Sequence, residues 1–571
     1  MSTAYDLVIR GGTIVDGTGQ APIIGDVAVA GGKIAAIGKI DGAGAQEIDA
    51  RDRIVTPGFV DIHTHYDGQA IWSERLSPSS SHGVTTVVMG NCGVGFAPCR
   101  AADHALLIKV MEGVEDIPEV VMAEGLPWTW ETFPQYLDAL DARQHDIDVA
   151  AYLPHSPLRV YVMGQRGADR APATPEDLAK MRDITRAAME AGAMGFATSR
   201  LVIHRTADGR QIPTFDAATD ELKAITAGMA DAGRGTLQIV LDAFRGMDNE
   251  LPILREVVES CRRPATFTIG AGNAGPPNWT STLANLSAAT AAGLPITGQV
   301  LPRPIGLVCG LELTIHPFVT CPSYRAVAQL PHTEMVKTLR DPELRRKLIS
   351  ETPEPGHPLT AMGRTWAWMF PLNDPPDYAQ PLSNSMAAQA QAQGRTPEEV
   401  AYDWMLERDG HALMYVALGN FHDGKLDAVY EMLTHPDCVI GLGDGGAHYG
   451  AICDASFPTS TLNHWVRDSG RISLAAAVRM LSRRPAEAVG LRDRGLLRPG
   501  YKADINVIDA ANLKLHIPTI VRDLPAGGRR LDQRATGYDA TIVAGLVIRR
   551  NDEATGVLPG RLVRGPQAER P

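Results

Sequence analysis

The chain has 571 residues, of which 44% are hydrophobic and 21% charged, a composition that excludes a disordered or fibrous protein. Its 54 Lys and Arg against 66 Asp and Glu give a net charge of −12, which argues against a nucleic-acid partner because no basic surplus is available for phosphates. No signal peptide or membrane-spanning stretch is recognisable, and the seven scattered cysteines fit reduced thiols. We therefore expect a cytoplasmic protein with neither a nucleic-acid nor a membrane partner.

The two ends of the chain share a strand-rich pattern. Residues 5–38 alternate apolar positions between Gly-Gly turns, and the stretches 503–508 and 540–550 have the same character. We predict that residues 1–57 and 491–571 form the two parts of one small β-sandwich.

The middle of the chain, residues 58–490, alternates short apolar runs with helical stretches, as βα units around a parallel sheet do. The predicted strands are Ile54–Ile62, Thr85–Met89, Val149–Leu153, Met194–Thr198, Leu237–Leu241, Thr266–Ile269, Ile296–Leu301 and Val439–Leu442. Eight such units predict an α/β fold, a (β/α)8 TIM-like barrel whose active site lies at the carboxyl ends of the strands. The long gap before the last strand predicts a helical lid over about residues 305–435.

Two histidines end the first predicted strand. His63 and His65 are two residues apart, so their side chains lie on the same face of the strand. A single histidine here would ordinarily be a hydrogen-bonded polar residue, but two desolvated imidazoles on one face indicate a metal site.

Two further candidates follow other strands of the predicted barrel. Cys92 lies among glycines after the second strand, where a thiolate would suit zinc, although most free cysteines are simply buried apolar residues. Asp444 follows the eighth strand in an Asp-Gly pair, which is also a common turn signal. Because strands one and eight of a closed barrel are neighbours, Asp444 can lie beside the metal and exchange protons with the substrate.

The same edge of the barrel carries candidate substrate-binding residues. They are His155 and Arg159 after strand three, Arg200 after strand four, Arg303 after strand seven, and His448. An arginine fork suits a substrate carboxylate, but a loop salt bridge explains each of these residues equally well.

The motifs in combination resemble the N-acyl-D-amino acid deacylases, or D-aminoacylases, of the amidohydrolase superfamily. The resemblance spans nearly the whole chain and is carried by Pro-Gly-Phe-Val-Asp-Ile-His63-Thr-His65, Gly-Asn-Cys92-Gly, Pro-His155-Ser-Pro-Leu-Arg159 and Asp444-Gly-Gly. It implies that Cys92 joins the two histidines as a zinc ligand and that Asp444 is the general acid and base. It also implies a lid over an N-acylated D-amino acid.

The chain departs from that family after strands five and six, where the resemblance implies histidines and none is present. We therefore predict one Zn²⁺ per chain, held by His63, His65, Cys92 and Asp444, and doubt a second metal. Asp242 is a candidate outer participant, and His204 is a candidate replacement ligand.

Hydrolysis of the amide of an N-acyl-D-amino acid or a similar N-acyl substrate is the predicted reaction, by attack of metal-bound water. The missing histidines leave open the opening of cyclic amides, the hydrolysis of esters or lactones, and decarboxylation on the same barrel. A non-catalytic binding protein is a further alternative, and assembly as a homo-oligomer is left open.

Overall fold

A closed barrel of parallel strands forms the centre of the protein in a computed structural model that describes residues 5–567. Within that range eight strands form it: Phe59–Asp61, Val84–Met89, Asp148–Ala151 with its continuation Leu153–Pro154, Gly195–Ser199, Thr236–Val240, Ala265–Thr268, Ile296–Val300 and Cys438–Ile440. Each pairs in parallel with the next. A parallel bridge between Thr64 and Gly445 joins the first strand to the eighth. The predicted barrel is confirmed, and each of the eight predicted strands overlaps an observed one.

The first predicted strand is two strands rather than one. Ile54–Pro57 belongs to the terminal sheet, and only Phe59–Asp61 enters the barrel. Gly58 lies between them, where a Cβ would stand 2.2 Å from Thr85 Oγ1. The chain therefore passes from one sheet to the other at a position that has no room for a side chain.

Helices surround the barrel in the connections between its strands. Before strand eight they are Gln69–Trp72, His104–Glu115, Glu119–Gly125, Phe133–Asp141, His155–Met163, Gln165–Ala168, Pro175–Ala191, Thr219–Asp231, Met247–Cys261, Asn278–Ala291 and Asp427–Thr434. After it come Phe457–Ser460, the π-helix Thr461–Asp468, Leu474–Leu481 and Arg483–Ala488. Two of them begin with a capping box and a proline, at Thr132 and Thr174, which fixes their first turns.

Strands from both chain ends share one sheet, as predicted. Its members are Tyr5–Ile14, Ile23–Ala30, Lys33–Gly38, Gly44–Asp49, Ile54–Pro57, Ile505–Ile508, Tyr538–Val543, Leu546–Arg550 and Glu553–Ala554. The two halves meet where Ile54–Pro57 pairs antiparallel with Ile505–Ile508. Short ladders join Lys514–Leu515 to Ala535–Thr536 and Thr519–Val521 to Arg530–Asp532. The predicted limits at residues 57 and 491 stay predictions, and residues 1–4 and 568–571 of the predicted end segments lie outside the described residues.

The segment before the eighth strand forms the lid, and it contains a sheet as well as helices. The helices are Pro322–Arg325, His332–Leu339, Pro342–Ser350, Pro358–Gly363, Met386–Gln393, Pro397–Met405 and Glu407–Gly410. The antiparallel strands Ile305–Cys309, Met369–Leu372 and Leu413–Gly419 join them. An apolar core of its own, including Phe318, Met335 and Tyr402, holds the lid together.

None of the helices in the described range is long and apolar enough to cross a membrane.

Candidate metal centre

Backbone hydrogen bonds hold the end of the first barrel strand against the loop after the eighth. The amide of His65 donates to Gly445 O at 2.7 Å, and the amide of Asp444 donates to His63 O at 3.0 Å. Both histidine side chains are buried, with 1% of their surface exposed. Neighbouring strands therefore bring Asp444 beside the histidine pair, as the closure of the barrel predicts.

A tight left-handed turn at Asn91–Gly93 positions Cys92. Gly90, Cys92 and Gly93 have φ values of 85°, 56° and 70°, a conformation that glycine adopts without strain. A Cβ on Gly93 would stand 2.7 Å from Thr198 Cα. The Cys92 amide donates to Gln238 Oε1 at 3.0 Å, which anchors the turn to strand five.

The two imidazoles and the thiol converge on one point. Cys92 Sγ lies 3.6 Å from His63 Nε2 and 3.8 Å from His65 Nε2, and the three ligand atoms lie within 4.8 Å of one another. Tetrahedral zinc, with its usual bond lengths to nitrogen and sulfur, separates such ligands by about 3.3–3.6 Å. The donor types and spacings of these three residues therefore fit a zinc ion.

Asp444 contacts the same Nε2 atoms of the two imidazoles. Its Oδ1 is 3.4 Å from His63 Nε2 and 3.6 Å from His65 Nε2, and 17% of the side chain is exposed. Burial by itself raises the pKa of Asp444, but the neighbouring His65 and His63 outweigh it and hold the pKa well below the usual range. The carboxylate is therefore ionised and faces the same point as the three ligand atoms.

Hydrogen-bond partners fix the ring orientation of His63. Gln299 donates through Nε2 to Thr266 Oγ1 at 2.9 Å, so its Oε1 faces His63 Nδ1 at 2.8 Å. An amide oxygen only accepts hydrogen bonds, so Nδ1 carries the proton. The lone pair of Nε2 is thereby left for a metal.

Glu115 plays the corresponding part at His65. Its Oε1 lies 3.4 Å from His65 Nδ1, and its Oε2 lies 3.4 Å from His448 Nε2. The carboxyl is buried, and neither oxygen has a hydrogen-bond partner among the described residues. Burial, with the charges of Asp444 and Asp67, raises the pKa of Glu115 well above its usual value. Beside a bound cation the carboxyl would be ionised, and because a carboxylate only accepts, it would favour the proton on His65 Nδ1 and the lone pair on Nε2.

Burial and acidic neighbours make this cluster a poor environment for isolated charges. Burial lowers the pKa of both histidines. It raises the pKa of the Cys92 thiol, and Glu115 and Asp444 raise that pKa further. A divalent cation reverses this balance because it stabilises the thiolate and the carboxylates together.

Strands five and six contribute amide and hydroxyl groups to the centre. Gln238 on strand five binds the Cys92 backbone, and Thr266 on strand six binds Gln299. Asp242 accepts from the amide of Phe244 and lies 3.4 Å from Arg245, so its contacts are within its own loop. Strands five and six, where the resemblance implied histidines, thus carry residues that position the candidate ligands.

Comparison with known proteins gives the family. A family model described as "Amidohydrolase family" matches residues 46–549. The chain belongs to this family. It is an enzyme of the class that acts on carbon–nitrogen bonds other than peptide bonds, and it is related to the N-acyl-D-amino acid deacylases.

Curated relatives and solved structures lie at modest sequence identity to this amidohydrolase. The D-aminoacylase of Alcaligenes xylosoxydans xylosoxydans is 27% identical over 98% of both chains. The N-acyl-D-glutamate deacylase of the same organism is 28% identical over 89% of this chain and 88% of its own. The structure of N-acyl-D-glutamate deacylase from Bordetella bronchiseptica has a TM-score of 0.65 and 24% identity, covering 98% of this chain and 99% of its own. A D-aminoacylase structure has the same TM-score at 22% identity, covering 98% of this chain and 100% of its own. These structures show the shared fold.

The three candidate substrate-binding arginines of this amidohydrolase are engaged by carboxylates. Arg159 pairs with Glu221, Arg200 lies 2.6 Å from Glu250, and Arg303 lies 2.5 Å from Asp454. Less than a tenth of each arginine side chain is exposed. Contact between these arginines and a substrate carboxylate stays a prediction. Such contact requires each guanidinium to bind the substrate in addition to its present carboxylate partner, or to break that ion pair.

The candidate histidines fall into two settings. His155 is enclosed between Thr198 Oγ1, at 2.8 Å, and Glu221 Oε1, at 2.9 Å. His448 faces Glu115. His204 forms a hydrogen bond between its Nδ1 and Ser199 Oγ at 2.8 Å. Burial, together with the neighbouring His448 and His65, lowers the pKa of His204 to about 3.

Sequence reasoning missed Glu115 and Gln299. Glu115 ends the helix His104–Glu115 and is buried with Ile108 and Met111, so a carboxylate at an apolar position of the helical repeat was the available signal. Gln299 is a buried amide in the barrel strand Ile296–Val300. Each is a polar residue where the pattern calls for an apolar one.

Proposed function

We propose that this amidohydrolase removes the acyl group from an N-acyl-D-amino acid or a similar N-acyl substrate, using one zinc ion held by His63, His65 and Cys92 beside Asp444. The observation that carries the proposal is the convergence of two imidazole Nε2 atoms and one thiol, with Asp444 Oδ1 against both imidazoles. The D-aminoacylase and N-acyl-D-glutamate deacylase relatives, matched over most of their length, support the substrate class.

A bound zinc ion would supply Lewis acidity toward the amide carbonyl and toward water. Three protein ligands are the number that leaves a catalytic zinc open to substrate. Gln299 and Glu115 keep the two imidazoles in the ligating tautomer, and the buried surroundings exclude bulk solvent from the reacting amide.

Asp444 is the residue that moves the proton. Its ionised carboxylate can accept a proton from the attacking water and return it to the departing nitrogen of the substrate. Its contacts with both imidazoles also make it a candidate fourth ligand. We infer that it fills the two roles at different stages of turnover.

We further infer that the enzyme works on a small molecule in the cytoplasm, with homo-oligomer formation left open. All seven cysteines are free and buried, which suits a reducing compartment.

The test is hydrolysis of N-acetyl-D-amino acids by protein that has been stripped with a chelator and given one equivalent of zinc. We expect release of the free amine with zinc, none after chelation, and none from a Cys92→Ala variant. Cys438→Ala is the matched control, because that thiol is buried in the barrel wall away from the centre. Zinc-loaded enzyme that hydrolyses no N-acyl compound would contradict the proposal.

A further inference from the structure

A second group of three metal-ligating side chains lies in the lid, outside the barrel. It consists of Glu312, in the loop after the first lid strand, His332, the first residue of a lid helix, and His411, just before the last lid strand. One ligand atom of each lies within 4.8 Å of the other two. Apart from the barrel centre, it is the one such group that the described residues form. The three side chains come from segments that meet only when the lid folds.

Hydrogen bonding leaves one ring nitrogen of His332 available as a ligand. Its Nε2 lies 3.0 Å from Asp409 O, and because a carbonyl oxygen only accepts, Nε2 donates and Nδ1 has the lone pair. Nδ1 is itself buried and has no hydrogen-bond partner in the range 5–567. It faces Glu312 Oε2 at 3.8 Å, beyond hydrogen-bonding distance. A lone pair and a carboxylate oxygen that face each other repel, and a cation between them removes that repulsion.

The two oxygens of Glu312 face different partners. Oε2 lies 3.1 Å from His411 Nδ1 and is thus directed at both imidazoles. Oε1 lies 3.4 Å from Arg522 Nη2, and the carboxylate side chain is 14% exposed. One oxygen is therefore held by a guanidinium, and the other is left for a shared ligand of the two histidines.

The loop that carries Glu312 is anchored on the barrel. Thr314, two residues further on, donates through Oγ1 to Asp116 Oδ2 at 2.9 Å and through its amide to Gly450 O at 3.0 Å. The position of Glu312 is therefore fixed by contacts that do not involve the two histidines.

A close approach of two segments brings His411 beside His332. Gly410 has a φ of 81°, and a Cβ there would stand 2.5 Å from Val336 Cγ2 and 3.2 Å from His332 Cε1. The two imidazole rings stack with their centroids 4.2 Å apart. His411 is 58% exposed, so its ring has room to turn until both Nδ1 lone pairs point at one ion.

We propose that Glu312, His332 and His411 bind a divalent transition-metal ion, such as zinc, which ties the lid helix that begins at His332 to the lid sheet. Two imidazoles and one carboxylate are a common donor set for zinc, whereas Ca²⁺ and Mg²⁺ take oxygen ligands. Three protein ligands, one of them exposed, make this site weaker than the barrel centre. The first equivalent of zinc therefore enters the barrel, and the inference is independent of the reaction catalysed there.

The test is equilibrium dialysis of enzyme that already carries one equivalent of zinc against increasing ZnCl₂. We expect a second equivalent to bind with half-saturation at about 1–100 μM zinc. His332→Gln and His411→Gln should each weaken this second binding by at least about tenfold, because each removes one of three ligands. No second equivalent below about 1 mM zinc overturns the inference.

His516→Gln is the matched control. His516 lies in the carboxyl-terminal segment, 3.2 Å from Thr536 Oγ1, so the change removes an imidazole without touching the lid group. It should bind the second equivalent as the wild type does. A second equivalent that persists unchanged in both His332→Gln and His411→Gln lies elsewhere in the protein and also overturns the inference.

Hydrogen exchange tests whether the ion ties the lid together. Backbone amides of the helix His332–Leu339 should exchange at least about tenfold more slowly when the second equivalent is bound, because local opening then requires loss of the ion. The same addition of zinc should leave their exchange unchanged in His332→Gln. Exchange that is insensitive to the second equivalent in the wild type contradicts the role of the ion in the lid.

Discussion

Each imidazole of the candidate metal centre has a side-chain oxygen opposite its Nδ1, from Gln299 at His63 and from Glu115 at His65. The sequence pointed to His63 and His65 as candidate ligands because their spacing is local. It did not identify their partners, because Gln299 is 236 residues from His63 and the contact exists only after the barrel closes. The sequence shows that Gln299 and Glu115 are polar residues at positions where apolar ones are expected, but it does not show which side chains they contact.

Replacing Asp444 by asparagine tests its role in proton transfer. The amide keeps the size of the side chain but cannot accept a proton from water, so we expect kcat to fall by a factor of about 100 or more. The measurement is steady-state turnover of the best N-acyl substrate, with thermal unfolding as the check on folding. Near-normal turnover would show that another group moves the proton.

Replacing Glu115 by glutamine tests the positioning of His65. The amide oxygen of glutamine can still accept from His65 Nδ1, but the negative charge that strengthens His65 as a ligand is lost, so we expect zinc affinity to fall by a factor of about 10–100, as for other partners of metal-bound histidines. The measurement is zinc competition with a chelator of known affinity. The exposed Glu119→Gln, just beyond the same helix, is the control and should bind zinc as the wild type does. If Glu115→Gln bound zinc with the affinity of the wild type, Glu115 would have no part in positioning His65.

At the scale of elements, the barrel strands and the helical lid were predictable, and the sheet inside the lid was not. Eight apolar runs became eight barrel strands because each run is buried on both faces and bounded by a turn. The lid sheet was missed because Ile305–Cys309 pairs with Leu413–Gly419, more than a hundred residues along the chain. Periodicity reports local structure and carries little information on such pairing.

The turn at Asn91–Gly93 allows a test of how an element places a ligand. Gly93→Ala puts a Cβ against Thr198 and Ala197 on strand four. We expect the turn to shift Cys92, with loss of zinc and a destabilisation of about 1–3 kcal/mol. Zinc content and denaturant unfolding are the measurements.

Gly394→Ala is the matched control for that turn. Gly394 has φ 63° with open space around its Cβ position, so it carries the backbone strain without the clash. It should lose some stability and keep its zinc. If Gly93→Ala and Gly394→Ala contained equal amounts of zinc, the conformation of the turn at Asn91–Gly93 would not determine metal binding.

At the scale of the whole molecule, the carboxyl-terminal segment meets the barrel through buried polar contacts. His82, just before strand two, lies 2.8 Å from Thr459 Oγ1 and 2.8 Å from Gln533 O. It therefore ties the barrel to the carboxyl-terminal segment. Sequence patterns predicted that the ends associate but gave no hint of this histidine.

Burial lowers the pKa of His82 to about 4, below the value of about 6.5 expected in the unfolded chain. As pH falls below about 6.5 the unfolded chain binds a proton that the folded protein rejects, so stability is lost down to about pH 4. Between pH 7 and 5 we expect the wild type to lose about 2 kcal/mol more unfolding free energy than His82→Gln. Denaturant unfolding at both pH values measures this.

The control for the pH experiment is His411→Gln in the lid, where 58% of the side chain is exposed. It should follow the wild type between pH 7 and 5. A His82→Gln variant with the same pH dependence as the wild type would contradict the assignment.

The central claim is a single zinc ion held by His63, His65 and Cys92 beside Asp444. Diffraction from crystals of the purified protein, with anomalous data on both sides of the zinc edge, locates each ion directly. The account predicts one anomalous peak in the barrel, between His63 Nε2, His65 Nε2 and Cys92 Sγ and within reach of Asp444 Oδ1. Two peaks in the barrel, or none in protein grown with zinc, would contradict it.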